Sequence, residues 1–100
     1  MELKVREEEQ KTFIELPEKL DISTIPFYKE DILNIINGCE NDIVLDMKET
    51  KFIDSTAIGN IIMFMKLLTK KNRKLYITNP EENVKDSFET ARIFNFIELI

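Results

Sequence analysis

The first pattern along the chain is an alternation. Leu3-Lys4-Val5-Arg6 switches between apolar and charged positions, the period of a half-exposed strand, and its charges suit a sheet edge. Residues 7–10 supply a polar turn. Thr12, Ile14 and Leu16 then share one face of a second strand, which Pro17 ends because proline has no N–H for a ladder. Together the two segments predict a hairpin. From residue 21 to 38 the period lengthens to that of a helix, with Ile25, Tyr28, Ile32, Ile35 and Ile36 on one stripe. Ser23 or Thr24 can cap it, Pro26 fits the first turn, where its missing N–H is no loss, and Gly38 stands where a helix commonly stops. Lys29, Glu30 and Asp31 fall off the stripe and make a solvated face.

Ile43-Val44-Leu45-Asp46-Met47 is apolar without alternation, which predicts a central strand covered on both faces and parallel to a neighbour. Asp46 is its anomaly. A buried carboxylate needs partners, so Asp46 either closes the strand near residues 54–56 or is capped by backbone donors. The next stretch, Lys51-Phe52-Ile53-Asp54-Ser55-Thr56-Ala57-Ile58-Gly59, runs from β-prone residues through three side-chain oxygens into a helix over about 57–72. Ile58, Ile61, Ile62, Met65 and Leu68 form the expected core stripe of that helix. Thr56, Asn60, Met63, Leu67 and Lys70 fall on the opposite face, and Met63 and Leu67 with Gly59 offer a small recognition patch.

Lys70-Lys71-Asn72-Arg73-Lys74 places cations at the negative end of the helix. Leu75-Tyr76-Ile77-Thr78 reads as a strand. Asn79-Pro80-Glu81-Glu82 reads as a cap followed by a helix whose stripe is Val84, Phe88 and Ala91, and residues 93–100 close the chain as a turn and an extended end. The predicted fold class is α/β, a mixed sheet of four to five strands with helices packed on it, in the order β-β-α-β-α-β-α, folded as a single domain over 1–100.

Composition narrows the function classes. A net charge of −5 with 33% charged residues argues against nucleic acid or an anionic membrane as a partner, and the apolar runs are too short to span a bilayer. The acidic start (Glu2, Glu7, Glu8, Glu9) lacks the order of a signal peptide, so a cytoplasmic location is expected. With no His and a single Cys, the commonest general base, an internal disulfide and a Cys-rich metal site are all missing; no cofactor or metal is expected. Cys39 reads as a small filler residue. An acidic hydrolase built on Asp46 and Asp54 is disfavoured because no His, Cys pair or phosphate-binding Gly loop accompanies them.

The block 43–59 resembles the STAS domain, in particular the small bacterial anti-sigma factor antagonists. The family pattern is an apolar strand ending in Asp, a short loop, and Asp-Ser-Ser/Thr-Gly-Leu-Gly opening a helix; Leu20-Asp21 also resembles the family's Leu-Asp. Ala57 and Ala91 stand where the family commonly has Gly, and Pro17-Glu18 where it often has Gly before the Leu-Asp pair. The resemblance implies a non-enzymatic partner switch that regulates sigma-factor-dependent transcription. The unphosphorylated protein binds an anti-sigma factor that is also an ATP-dependent serine kinase, phosphorylation of Ser55 (Thr56 as substitute) releases it, and a serine phosphatase resets it. It further implies a binding surface of Asp21, Asp54, Ser55, Thr56, Ala57, Gly59, Asn60, Met63 and Leu67 on a monomer or weak homodimer. The alternative it leaves open is a STAS interaction module, not phosphorylated, within a larger sensory or transport assembly.

Overall fold

The computed structural model describes residues 3–100; Glu2, part of the acidic start noted above, lies outside them. Strands β1 (Lys4–Glu8) and β2 (Lys11–Glu15) form the expected antiparallel hairpin. Its turn is only Glu9 and Gln10, both at positive φ (50° and 66°), so the twist of the turn matches that of the strands. Then come β3 (Lys19–Leu20), α1 (Ile25–Asn37), β4 (Asp42–Asp46), β5 (Phe52–Ile53), α2 (Ser55–Lys70), β6 (Leu75–Thr78), α3 (Glu82–Thr90), a 3₁₀ turn (Ile93–Asn95) and β7 (Glu98–Leu99).

Five strands pair in the order β1-β2-β4-β6-β7, antiparallel at β1 and parallel elsewhere. Each parallel neighbour is added on the same side, so right-handed crossovers carry α1, α2 and α3 to one face of the sheet. Ile43, Leu45 and Met47 pack under them, together with Ile14, Leu16, Ile32, Ile36, Phe64, Leu68, Ile77 and Phe88. The other face has no helix. Register places Val44 between Phe13 and Tyr76 there, where it is buried although it lies outside the core cluster. Long side chains provide the cover: the Arg6 guanidinium lies 4.4 Å from the Phe13 ring centroid and the Lys11 ammonium 5.7 Å from that of Tyr76. Asp46 ends β4 on this face, 1% exposed, and accepts from the Lys48 amide (3.1 Å), Asn79 Nδ2 (3.3 Å) and an Arg6 guanidinium nitrogen (3.4 Å).

The expected stripe of α2 is rotated in the structure. Ala57, Ile61, Phe64 and Leu68 are buried, whereas Ile58, Ile62 and Met65 are only partly so. The helix is apolar on more than one side, so periodicity permits several rotations, and packing beside α1 and α3 selects one. Ile35 of α1 is likewise only partly buried, and Ala91 is exposed just past α3. Gly38 does cap α1, but with φ −86° rather than in the left-handed conformation. Asn79 is not a helix cap. It takes φ 58° and turns its amide to Asp46, and α3 starts later, at Glu82.

Arg73 departs from the expected role of a cation at the negative end of its own helix. It is buried, and its guanidinium donates to the carbonyls of Ile36 (2.9 Å) and Asn41 (2.8 Å) and contacts Cys39 Sγ (3.4 Å). It thereby supplies donors to the carboxyl end of α1 and fastens the α2–β6 connection to the start of β4.

Replacing Phe64 by Ala should cost about 3–5 kcal/mol of unfolding free energy, against under about 2 kcal/mol for Met65→Ala, in urea denaturation. The reverse ranking would restore the stripe expected from sequence.

Candidate functional site

Two short parallel strands build the site. β3 and β5 pair apart from the main sheet, with Lys19 opposite Phe52 and Leu20 opposite Ile53. The residues that follow, Asp21 and Asp54, therefore emerge at the same end, and the Asp54 amide donates to the Leu20 carbonyl at 3.3 Å. Thr50 supports the approach from beneath; it is buried and its hydroxyl donates to the Pro17 carbonyl at 2.8 Å.

Asp54 is the N-cap of α2. Its backbone is extended, its Oδ1 accepts from the Ala57 amide at 3.0 Å, and its carbonyl accepts from the Ile58 amide at 3.1 Å. Oδ2 turns the other way and accepts from the Ile22 amide at 2.9 Å. Ser55 is therefore the first residue of the helix and is exposed; Thr56 is half-buried beside it. A hydroxyl at this place faces the positive end of α2.

Asp21 organises the neighbouring turn. Its Oδ1 accepts from the Ser23 hydroxyl (2.6 Å), the Ser23 amide (2.9 Å) and the Thr24 amide (3.1 Å). Led by the Ser23 hydroxyl, and opposed in part by desolvation, these donors and the Lys19 ammonium hold its carboxyl at about 2, below the ordinary 3.8. Thr24 closes the turn, donating to the Lys19 carbonyl at 2.9 Å and accepting from the Asp21 amide at 3.0 Å; it is not a side-chain cap of α1.

The expected surface residues divide. Gly59 is exposed, with open space where a Cβ would project. Asn60 is half-buried and donates to the Thr56 carbonyl at 2.9 Å, and Met63 and Leu67 are half-buried. Ala57 is a correction. It is fully buried in the core cluster and offers no contact surface, so the methyl that replaces the family's usual Gly points inward. Asp46 does not join Asp54 in a shared site. It is closed in on the opposite face of the sheet from the helices, and the groove beside Asp54 is lined by other residues.

That groove, about 400 Å³, runs between α2 and α3 and is lined by Ile53, Asp54, Ser55, Ile58, Asp86, Ser87, Thr90 and Ala91. The charged groups of its lining are both carboxylates, those of Asp54 and Asp86. Ile22, whose amide Asp54 holds, is 70% exposed, and Phe27 in the first turn of α1 is 67% exposed. Neither these two residues nor the α3 wall was expected from sequence. For Phe27 a signal was available, since it is a large apolar residue off the 25–28–32–36 stripe of α1. Among the described residues no helix is long and apolar enough to cross a membrane.

With this geometry in view, comparison with known proteins decides the family. Residues 2–100 match the STAS domain. The chain belongs to the STAS domain family. It is 25% identical over 71 residues to the anti-sigma-B factor antagonist of Staphylococcus aureus, a match covering 71% of this chain and 66% of that relative's length. The fold is shared with an anti-sigma-factor antagonist (STAS) domain protein of Planctomyces limnophilus, at TM-score 0.88 and 15% identity over 97% of this chain and 87% of the other. It is also shared with the Bacillus cell fate determinant SpoIIAA in its phosphorylated form, at TM-score 0.71 and 17% identity over 99% of this chain and 91% of the other. The STAS fold of this chain thus places Asp21, Asp54 and Ser55 at one end, with the acidic groove lined in part by Asp54 and with the exposed Ile22 held through its amide by Asp54.

Two measurements check the site. Asp54→Ala should lower stability by about 1–2 kcal/mol through loss of the cap, read by denaturant unfolding. The Asp21 carboxyl titrates lower in the folded chain than unfolded, so its contribution to stability is present above the unfolded value near 3.8 and lost as pH falls through about 2. Asp21→Asn should therefore flatten the stability–pH profile across that window; an unchanged profile would refute the assignment.

Proposed function

We propose that this chain is an anti-sigma factor antagonist, a non-enzymatic partner switch in the cytoplasm whose acceptor is Ser55. In its unmodified form it binds an anti-sigma factor that is also a serine kinase, and so favours sigma-factor-dependent transcription. The kinase transfers the γ-phosphoryl group of ATP to Ser55 Oγ. An Oγ–P bond forms, the bond to the β-phosphate oxygen breaks, the hydroxyl proton is lost and ADP departs. A serine phosphatase restores the hydroxyl. Thr56 is the substitute acceptor.

One observation carries the reading: Ser55 is an exposed hydroxyl at the first position of a capped helix in a STAS fold, immediately after the capping carboxylate. The names of similar proteins support it, one an anti-sigma-B factor antagonist and another solved in a phosphorylated form. The physics is favourable too. A phosphoserine at a helix N-terminus adds close to two negative charges where free amides and the dipole tolerate them, so the fold persists while the contact surface changes. In an interface the same charge meets desolvation and repulsion, and only a few kcal/mol lowers affinity by orders of magnitude. Asp21, Asp54, Thr56, Gly59 and Asn60, with the half-buried Met63 and Leu67, form the proposed contact region around it.

Affinity capture of the unmodified chain from its own cytoplasm should recover the kinase. Ser55→Ala should abolish phosphorylation by that kinase with ATP while leaving stability within about 0.5 kcal/mol, since Ser55 is not the cap. Ser55→Asp should weaken kinase binding by about 10–100-fold in a calorimetric titration. Phosphorylation persisting in Ser55→Ala would move the acceptor to Thr56. Undiminished binding by Ser55→Asp would instead indicate a STAS module that works without phosphorylation.

A further inference from the structure

Asp54 uses both carboxylate oxygens, one to cap α2 and one to hold the Ile22 amide. The second bond joins the helix that begins at Ser55 to the 21–24 turn. Within the turn, Asp21 and Thr24 bond to one another and to Ser23 and Lys19, so it behaves as a small rigid unit. Ile22 at its tip is 70% exposed and stands outside the apolar core. Its placement therefore depends on backbone and carboxylate bonds rather than on packing.

We propose that a phosphoryl group on Ser55 is transmitted to this turn through Asp54. The dianion drives the Asp54 carboxylate off the Ile22 amide, and the apolar tip leaves its docking position. The inference rests on Ser55 being the acceptor, as argued above, and adds how the modification reaches a surface that does not carry it.

Three observations converge. First, the phosphate would be attached to the residue directly after Asp54, at the helix end whose Ala57 amide Asp54 already occupies, so the two anions compete for the same donors. Second, the charged groups lining the groove at Ser55 are Asp54 and Asp86, both negative, and the nearby Lys19 ammonium is engaged with Asp21 at 3.4 Å. No cation of that lining offsets the added charge beside the Asp54 carboxylate. Third, the Asp54–Ile22 bond lies at the surface, where water replaces either partner once it opens. A bond that is cheap to open, set beside a new double charge, is a two-state element that a modification can bias. The partner that reads it would carry an apolar depression for Ile22 and Phe27.

The test uses the full chain with phosphoserine installed at position 55 during translation and amide hydrogen exchange followed by NMR. Exchange at Ile22 should rise at least about tenfold, with the Ile61 and Phe64 amides of α2 unchanged. Asp54→Ala removes both acceptor oxygens, so it should accelerate Ile22 exchange without any phosphate, and phosphoserine should then add no further acceleration there; a further acceleration overturns the relay. Unaltered Ile22 exchange in the phosphoprotein overturns the relay, as does an equal acceleration throughout α2. The two ideas fail separately. Release of Ile22 with kinase capture intact upholds the relay and sinks the switch, whereas lost capture with Ile22 still protected sinks the relay alone.

Discussion

Strand β4 has no solvent on either side, and its backbone donors and acceptors must therefore be met by flanking strands. Parallel pairing with β2 and β6 meets them, and parallel pairing requires crossovers long enough to return the chain, which α1 and α2 provide. Because each crossover adds its strand in the same direction, the helices gather on one face. The opposite face is left to Arg6 and Lys11, whose aliphatic stems and cationic heads lie across Phe13 and Tyr76. Val44 and Asp46 are buried by side chains there, in a layer only one residue thick. Arg73 completes the arrangement by serving the carbonyls of Ile36 and Asn41, both more than 30 positions earlier in the chain.

The candidate site follows from the same architecture at a smaller scale. β3 and β5 are two residues each, yet their parallel register sets Asp21 beside Asp54. Each carboxylate then orders one loop, Asp21 the 21–24 turn and Asp54 the start of α2. Asp54 places both carboxylate oxygens on amides, whereas Asp21 places Oδ1 on two amides and a hydroxyl and Oδ2 beside the Lys19 ammonium.

Much of the main sheet was legible because its elements are long enough to show a period or, in β4, an unbroken apolar run. The hairpin, α1 and β4 all declare themselves in five or more residues. The site was legible in part. Asp54 and Ser55 announce a helix start, and Leu20-Asp21 is a visible pair, but their adjacency depends on β3 and β5, which are too short for any period to register. Ile22 and Phe27 went unnoticed because single exposed apolar residues are ordinary on a protein surface. By residue type Arg73 suits the negative end of a helix and Asn79 a helix cap, whereas each is recruited by an acceptor more than 30 positions away.

By itself the sequence determined the hairpin, the covered strand β4, the stripe of α1, and that residues 54–56 open a helix, because these depend on local spacing and hydrogen bonding. Only the tertiary structure decided which side of α2 enters the core, why Ala57 points inward, and that Asp54 reaches across to Ile22. Those outcomes depend on which distant groups compete for the same space and the same donors, and one-dimensional order does not carry that competition.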